Sequence, residues 1–279
     1  MVDIYLFLIC FFILGLIVGS FLNVVIYRLP LMLECYWKNQ ARLLLDLPVA
    51  EDQKKFNLFF PKSHCSHCHT KLKLYENIPV VSYVLQVGRC RYCHHKISLQ
   101  YLIVELITGV IFTLLYYRFG LSYALLGGVV FSSALIALTF IDFRTKLLPD
   151  IITIPLLWLG LLFNLFKVYE VSLEFAVLGA LVGYLLFWIV FQIFKFLTAK
   201  EGVGYGDFKL FAAIGAWLGI VNLPFLLLFA SISGLIFALV FKIGKNQEMP
   251  FGPAIAISGL ILFIFYPEIS SWLSINLRY

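Results

Sequence analysis

The chain has 279 residues, of which 62% are apolar, 17% aromatic and only 13% charged, with a mean hydropathy of +0.97. Soluble domains carry about 25% charged residues, so an ordinary soluble enzyme is excluded, and so is a disordered chain, whose composition is the reverse. The net charge of +6 reads as a signal of membrane topology, and no nucleic-acid partner is expected.

A helix that crosses a hydrocarbon core about 30 Å thick needs roughly 20 apolar residues. Eight stretches approach this, at about 4–26, 99–117, 121–141, 151–166, 173–196, 208–221, 223–241 and 254–273. The predicted fold is all-α, a polytopic helical membrane bundle in three parts: a first transmembrane helix (1–26), a cytoplasmic zinc-binding insert (27–98) and a transmembrane bundle (99–279). Only Asn222 and Pro224 mark the turn between the sixth and seventh stretches. The chain begins Met-Val-Asp without a basic n-region, and its apolar run exceeds a normal h-region, so no cleaved signal peptide is expected. No repeat of fixed period and no low-complexity tract is visible. Within the insert, residues 78–85 (IPVVSYVL) are apolar enough either to lie on the membrane surface or to form a small core.

Lys and Arg in short loops orient such a bundle, with the richer side cytoplasmic. With the N-terminus outside, the inner side holds eleven basic residues between Arg28 and Lys96, and Arg144, Lys146, Lys195, Lys200, Lys209, Lys242 and Lys245 besides. The outer side holds only Arg118, Lys167 and Arg278. This asymmetry predicts both termini outside and the insert in the cytoplasm, with anionic lipid attracted to the basic face.

Four of the six cysteines form two C-x2-C pairs, Cys65/Cys68 and Cys90/Cys93, separated by 21 residues. In paired zinc knuckles each tight turn presents two thiolates to one tetrahedral ion. All five histidines (His64, His67, His69, His94 and His95) lie on the same stretches, which leaves a mixed Cys/His site open. Disulfides are disfavoured in a cytoplasmic loop, and duplication of the motif speaks against a redox pair. A closed thiolate site would be structural, stapling an insert too small to bury much core. Cys10 and Cys35 receive no function.

Ionisable residues at the edges of membrane helices are functional candidates. Asp150 reads as a helix N-cap, and Glu105 as a buried hydrogen-bond partner or part of a substrate path. Asp142 is harder to explain structurally, because it ends the third stretch, where the helix macrodipole disfavours a negative charge. Asp207 closes the run Gly202-Val203-Gly204-Tyr205-Gly206-Asp207 and opens the sixth stretch, where the dipole favours one. Both acids are expected at one depth on one side. Two carboxylates sharing a site cannot both ionise easily, so one keeps its proton while the other activates water, as in aspartic proteases. The helix ends make Asp207 the base and Asp142 the protonated partner. The glycine run lacks the G-x-G-x-x-G spacing and the preceding strand of a dinucleotide loop; its glycines would let backbone approach the carboxylate.

In order along the chain, GSFLNVVIYRLP (19–30), the paired cysteines with IPVVSY before GRCRYC, ISLQYLIVEL (97–106), IDFRTKLLPDIITIPLLWLGLLFN (141–164), GVGYGDFKL (202–210) and PFGPAIA (250–256) resemble the type IV prepilin leader peptidases, membrane aspartic proteases with a G-x-G-D motif. One departure is Cys65-Ser66-His67-Cys68, where the family often has proline after the first cysteine. The resemblance implies cleavage of prepilin and pseudopilin leaders at the cytoplasmic face of the inner membrane, with Asp142 and Asp207 as the catalytic pair. It also implies N-methylation of the new N-terminus with S-adenosyl-L-methionine, for which no binding residue is assigned. Two other classes compete. A proton- or cation-coupled transporter would place both acids near the bilayer midplane. A zinc-anchored assembly factor would need the cysteines and not the acids.

Overall fold

The computed structural model describes residues 2–48, 56–198, 204–240, 242 and 250–276. Gly202 and Val203 of the glycine run, with Lys200, Lys245 and Arg278 of the charge count, lie outside the described residues. Helices form at all eight expected places, and the described residues contain no β-strand, only two isolated antiparallel bridges. Among the described residues, five helices are long and apolar enough to cross a membrane. The chain divides into two compact units, Met1–Tyr117 and Arg118–Tyr279.

The first unit is built on α1 (Val2–Leu44) and α3 (Leu99–Phe119). Lipid tails are as apolar as leucine, so membrane helices associate through close packing of small residues and buried hydrogen bonds. Here Gly15 and Gly19, one helical turn apart, face α3: a methyl on Gly15 would lie 2.6 Å from Gly109 Cα, and one on Gly19 would lie 2.7 Å from Glu105 Cα. The Asn23 side chain, one turn further, donates to the Tyr101 carbonyl at 3.0 Å and to that of Gly19 at 3.3 Å.

Unlike the expected helix ending near residue 26, α1 runs unbroken through Pro30 to Leu44. Its 43 residues span about 65 Å at 1.5 Å per residue, twice a hydrocarbon core. The change in polarity at Arg28 therefore does not mark the end of the helix. Arg28 itself is buried, its guanidinium donating to the carbonyls of Asn57 (2.9 Å), Leu58 (3.3 Å) and Pro61 (2.6 Å). The Asn57 side chain in turn accepts from the amides of Phe59 and Phe60. Between this loop and α3 lie two hairpin-like turns and the short helix α2 (Val81–Leu85), which buries none of its residues. Residues 78–85 therefore form no core for the insert.

The second unit packs α4 (Tyr123–Thr145), α5 (Asp150–Leu165), α6 (Leu173–Thr198), α8 (Leu223–Val240) and α9 (Gly252–Asn276) with α7 (Tyr205–Leu218). From Asp207 onward every residue of α7 except Lys209 is buried. A helix that is apolar all round belongs inside protein, and its 14 residues reach only about 21 Å, too short to cross a bilayer alone. Its neighbours close on it through glycine. Gly179 of α6 and Gly215 of α7 meet backbone to backbone, Gly160 of α5 lies under the Trp217 indole, and Gly259 of α9 lies against Ile214. Trp217 Nε1 donates to the Leu156 carbonyl at 2.8 Å, and Asn164 Nδ2 to that of Ala216 at 2.8 Å. The chain leaves α7 at Gly219, whose φ of 77° glycine adopts without strain. A single 3-10 turn, Ile220–Asn222, separates α7 from α8.

Gly215→Val drives a branched side chain into the α6 backbone and should cost about 1–3 kcal/mol of stability, measured as a lower melting temperature in detergent. Gly204→Ala, whose methyl would meet nothing closer than 3.6 Å, should leave that temperature unchanged.

Candidate active site and metal centre

Asp142 sits in the last turn of α4 and is buried, at 5% exposure. The helix ends three residues later, where Lys146 takes the left-handed conformation (φ 55°) and its amide donates to the Asp142 carbonyl at 2.9 Å. Asp207 lies in the first turn of α7, also buried at 8%, its own amide bonded to the Gly204 carbonyl at 3.1 Å. The two carboxylates are near enough for their charges to act on one another.

A continuous set of contacts joins them. The Gly252 amide, at the start of α9, donates to the Asp142 carboxyl, and a methyl on Gly252 would lie 2.6 Å from Asp142 Oδ2. The same methyl would lie 3.1 Å from Leu148, and one on Gly206, next to Asp207, would lie 2.8 Å from Leu148 Cβ. Leu148 of the α4–α5 loop is thus held between the glycines that flank the two acids. Among the described residues, Asp142 Oδ2 is buried without a hydrogen-bond partner, an expensive condition for a carboxylate oxygen. Sequence reasoning placed the PFGPAIA segment in the resemblance but gave Gly252 no role, and Leu148 carries no signal beyond being apolar.

Asp150 departs from expectation. Pro149 occupies the N-cap position of α5, and Asp150, the first helical residue, pairs with Lys209 of α7, whose Nζ lies 2.7 Å from both carboxylate oxygens. This partly exposed pair ties the N-terminal ends of α5 and α7 together just beyond Asp207. Glu105 is a buried hydrogen-bond partner, its Oε2 accepting the Val80 amide at 2.7 Å.

The two C-x2-C stretches fold as one device made twice. In the first, the Cys65 amide donates to the Thr70 carbonyl and the His69 amide to that of Cys65, both at 3.0 Å; in the second, Cys90 bonds His95 and His94 bonds Cys90, both at 2.9 Å. Each turn closes with a histidine of positive φ, 57° at His69 and 55° at His94. The four sulfurs of Cys65, Cys68, Cys90 and Cys93 converge within 4.8 Å of one another. A tetrahedron with zinc–sulfur bonds of about 2.3 Å has edges of about 3.8 Å, and Cys65 and Cys93 Sγ lie 3.8 Å apart. No histidine joins this cluster among the described residues, so the mixed Cys/His set gives way to four thiols. His67 and His95 instead stack on each other with ring centroids 4.3 Å apart.

The Thr70 side chain and amide pull the Cys68 thiol down to about 6, and the amides of Cys93 and Tyr92 lower Cys90. Cys93 goes the other way: its hydrogen bond to the His95 backbone is outweighed by desolvation and the three neighbouring sulfurs, which push it up to about 12. Four thiols this close cannot all ionise unless a cation sits between them. The donor set therefore fits a thiophilic divalent ion.

The model of the bacterial peptidase A24 N-terminal domain matches residues 13–119, and that of the type IV leader peptidase family matches 129–239. A Neisseria gonorrhoeae protein named prepilin leader peptidase/N-methyltransferase is 48% identical over 95% of this chain and 92% of its own length. Proteins of the same name from Dickeya chrysanthemi (46%, 90% of each chain) and Dichelobacter nodosus (44%, 91% of this chain and 90% of the relative) are similar over comparable spans. No solved structure matches the chain. Aligned almost from end to end with such relatives, and matched by both family models in order, this chain belongs to the type IV leader peptidase family.

Proposed function

We propose that the chain cleaves the leader from type IV prepilins and pseudopilins at the cytoplasmic face of the bacterial inner membrane, and methylates the new N-terminus. The observation that carries the peptidase reading is the meeting of two buried carboxylates, one from the end of α4 and one from the start of α7. In this reading Asp207 takes a proton from water as its oxygen attacks the scissile carbonyl, and Asp142 gives its proton to the carbonyl oxygen. Collapse of the tetrahedral intermediate breaks the C–N bond, the departing amine taking the proton from Asp207 while a hydroxyl of the diol returns one to Asp142, which restores the dyad with its single shared proton. The transporter reading calls for acids near a bilayer midplane. These lie at helix ends, and none of the relatives named above is called a transporter.

The ion in the four-thiolate cluster is assigned as zinc, with a structural role: all four positions are filled by protein, leaving none open for substrate. Along the chain the work divides into an anchoring helix (1–26), a zinc-stapled insert (27–98) and the peptidase bundle (99–279). The excess of Lys and Arg puts the insert in the cytoplasm. Methyl transfer takes S-adenosyl-L-methionine as donor and rests on the relatives' names. None of the described residues is assigned to hold the donor.

Incubated with a prepilin, the detergent-purified protein should remove the leader, and Asp142→Asn or Asp207→Asn should slow cleavage at least about 100-fold, the low end for loss of general acid–base help. Mass spectrometry of the product checks both steps, a gain of one methyl group with S-adenosyl-L-methionine reporting the second. Normal cleavage by both mutants would sink the dyad. The pH–rate profile of cleavage should rise through an acidic limb, because a protonated base cannot accept from water; a profile flat to low pH would exclude a carboxylate base. Elemental analysis should find one zinc per chain, retained in Asp207→Asn and lost in Cys65→Ser and Cys90→Ser. Zinc retention should fall as the pH drops, since protons compete for the thiolates.

A further inference from the structure

An exposed apolar segment of the insert surrounds α2. Ile78, Val81, Val84, Leu85 and Val87 are 45%, 49%, 62%, 78% and 82% exposed, left uncovered by the described residues of the first unit. Isolated exposed apolar side chains are ordinary, but a contiguous run of this kind marks a contact surface.

The structure also fixes the level at which this segment lies. The Val80 amide, one residue before α2, is bonded to Glu105 Oε2 at 2.7 Å. Glu105 stands six residues after Leu99, the first residue of α3, and so about 9 Å along that helix. α3 is one of the five helices apolar and long enough to cross a membrane, so the tether holds α2 level with the first turns of a membrane span. Val80 adopts φ 62° to make this bond, a conformation that a β-branched residue takes only under constraint. Interfacial segments bury their apolar faces about 5–10 Å into the headgroup–acyl boundary, a depth of the same order as the rise from the start of α3 to Glu105.

The charge around the segment agrees. Between residues 71 and 98 the basic side chains are Lys71, Lys73, Arg89, Arg91 and Lys96, all exposed, while the single acid, Glu76, is buried. An exposed apolar segment whose neighbours in sequence carry exposed cations and no exposed acid suits anionic headgroups above acyl chains.

From the tether, the exposure and the charge we infer that residues 78–87 insert into the headgroup–acyl boundary of the leaflet on the insert's side. The exposed apolar side chains take lipid as their partner, and the metal knuckles ride on the bilayer instead of standing free of it. This inference rests on the membrane reading of α3 and is independent of the peptidase assignment.

The test is photo-crosslinking of the full chain in nanodiscs containing phosphatidylglycerol, with p-benzoylphenylalanine replacing Leu85 and, in a second variant, Val84. Both side chains are exposed, so neither replacement disturbs packing. Replacement of Leu228, on a membrane-spanning helix and 53% exposed, and of Lys62 set the upper and lower references. Lipid adducts at Leu85 and Val84 comparable with those at Leu228 are expected. Adducts no more abundant than at Lys62 would overturn the inference, as would crosslinks to a second copy of the chain or, on adding prepilin, to the prepilin in place of lipid.

Discussion

The contact between Gly179 and Gly215 sets the geometry of the second unit. With no side chain on either helix, α6 and α7 approach until their backbones touch, and lipid offers no hydrophobic gain that could hold them so by itself. The remaining faces of α7 are closed by the Trp217–Leu156 and Asn164–Ala216 hydrogen bonds to α5 and by Gly259 of α9. A helix too short to span a bilayer is thereby fixed inside protein, with its N-terminal turn carrying Asp207. The acid is positioned by the burial of the nine α7 residues after Lys209.

The first unit uses the same economy in a different place. Gly15, Gly19 and Asn23 form one stripe of α1 that meets α3, and one turn on from Asn23 the buried Arg28 gathers three backbone carbonyls of the following loop. A buried guanidinium is costly unless its donors are matched. The carbonyls of Asn57, Leu58 and Pro61 supply that match, so a residue that reads as a topology charge also shapes the loop leading into the knuckles.

Much of this was legible before any coordinates. Apolar runs located the helices, all but the far end of α1 to within a few positions, since hydrocarbon thickness leaves little choice, and the two C-x2-C pairs announced a four-thiol site because their spacing repeats. Asp142 and Asp207 stood out because one of them sits where a helix end disfavours it. What escaped depends on contacts between distant segments. The continuation of α1 through Pro30 needs the carbonyls that satisfy Arg28. Asp150 looked like a cap because its partner, Lys209, lies 59 residues away. Gly252 and Leu148 have no local pattern, and their place beside the acids exists only once α9 and the α4–α5 loop are packed.

The position of Leu148 between Gly206 and Gly252 bears on how this site can change over evolutionary time. At Gly206 the obstructing atom is the leucine's own Cβ, which every residue but glycine shares, so no shortening of the side chain makes room. At Gly252 the obstruction is the carboxylate of Asp142 itself. Neutral drift, in which one position changes and a neighbour later compensates, is therefore closed at both glycines unless the intervening loop or an acid moves as well. The chemistry and the absence of two methyl groups must be inherited together.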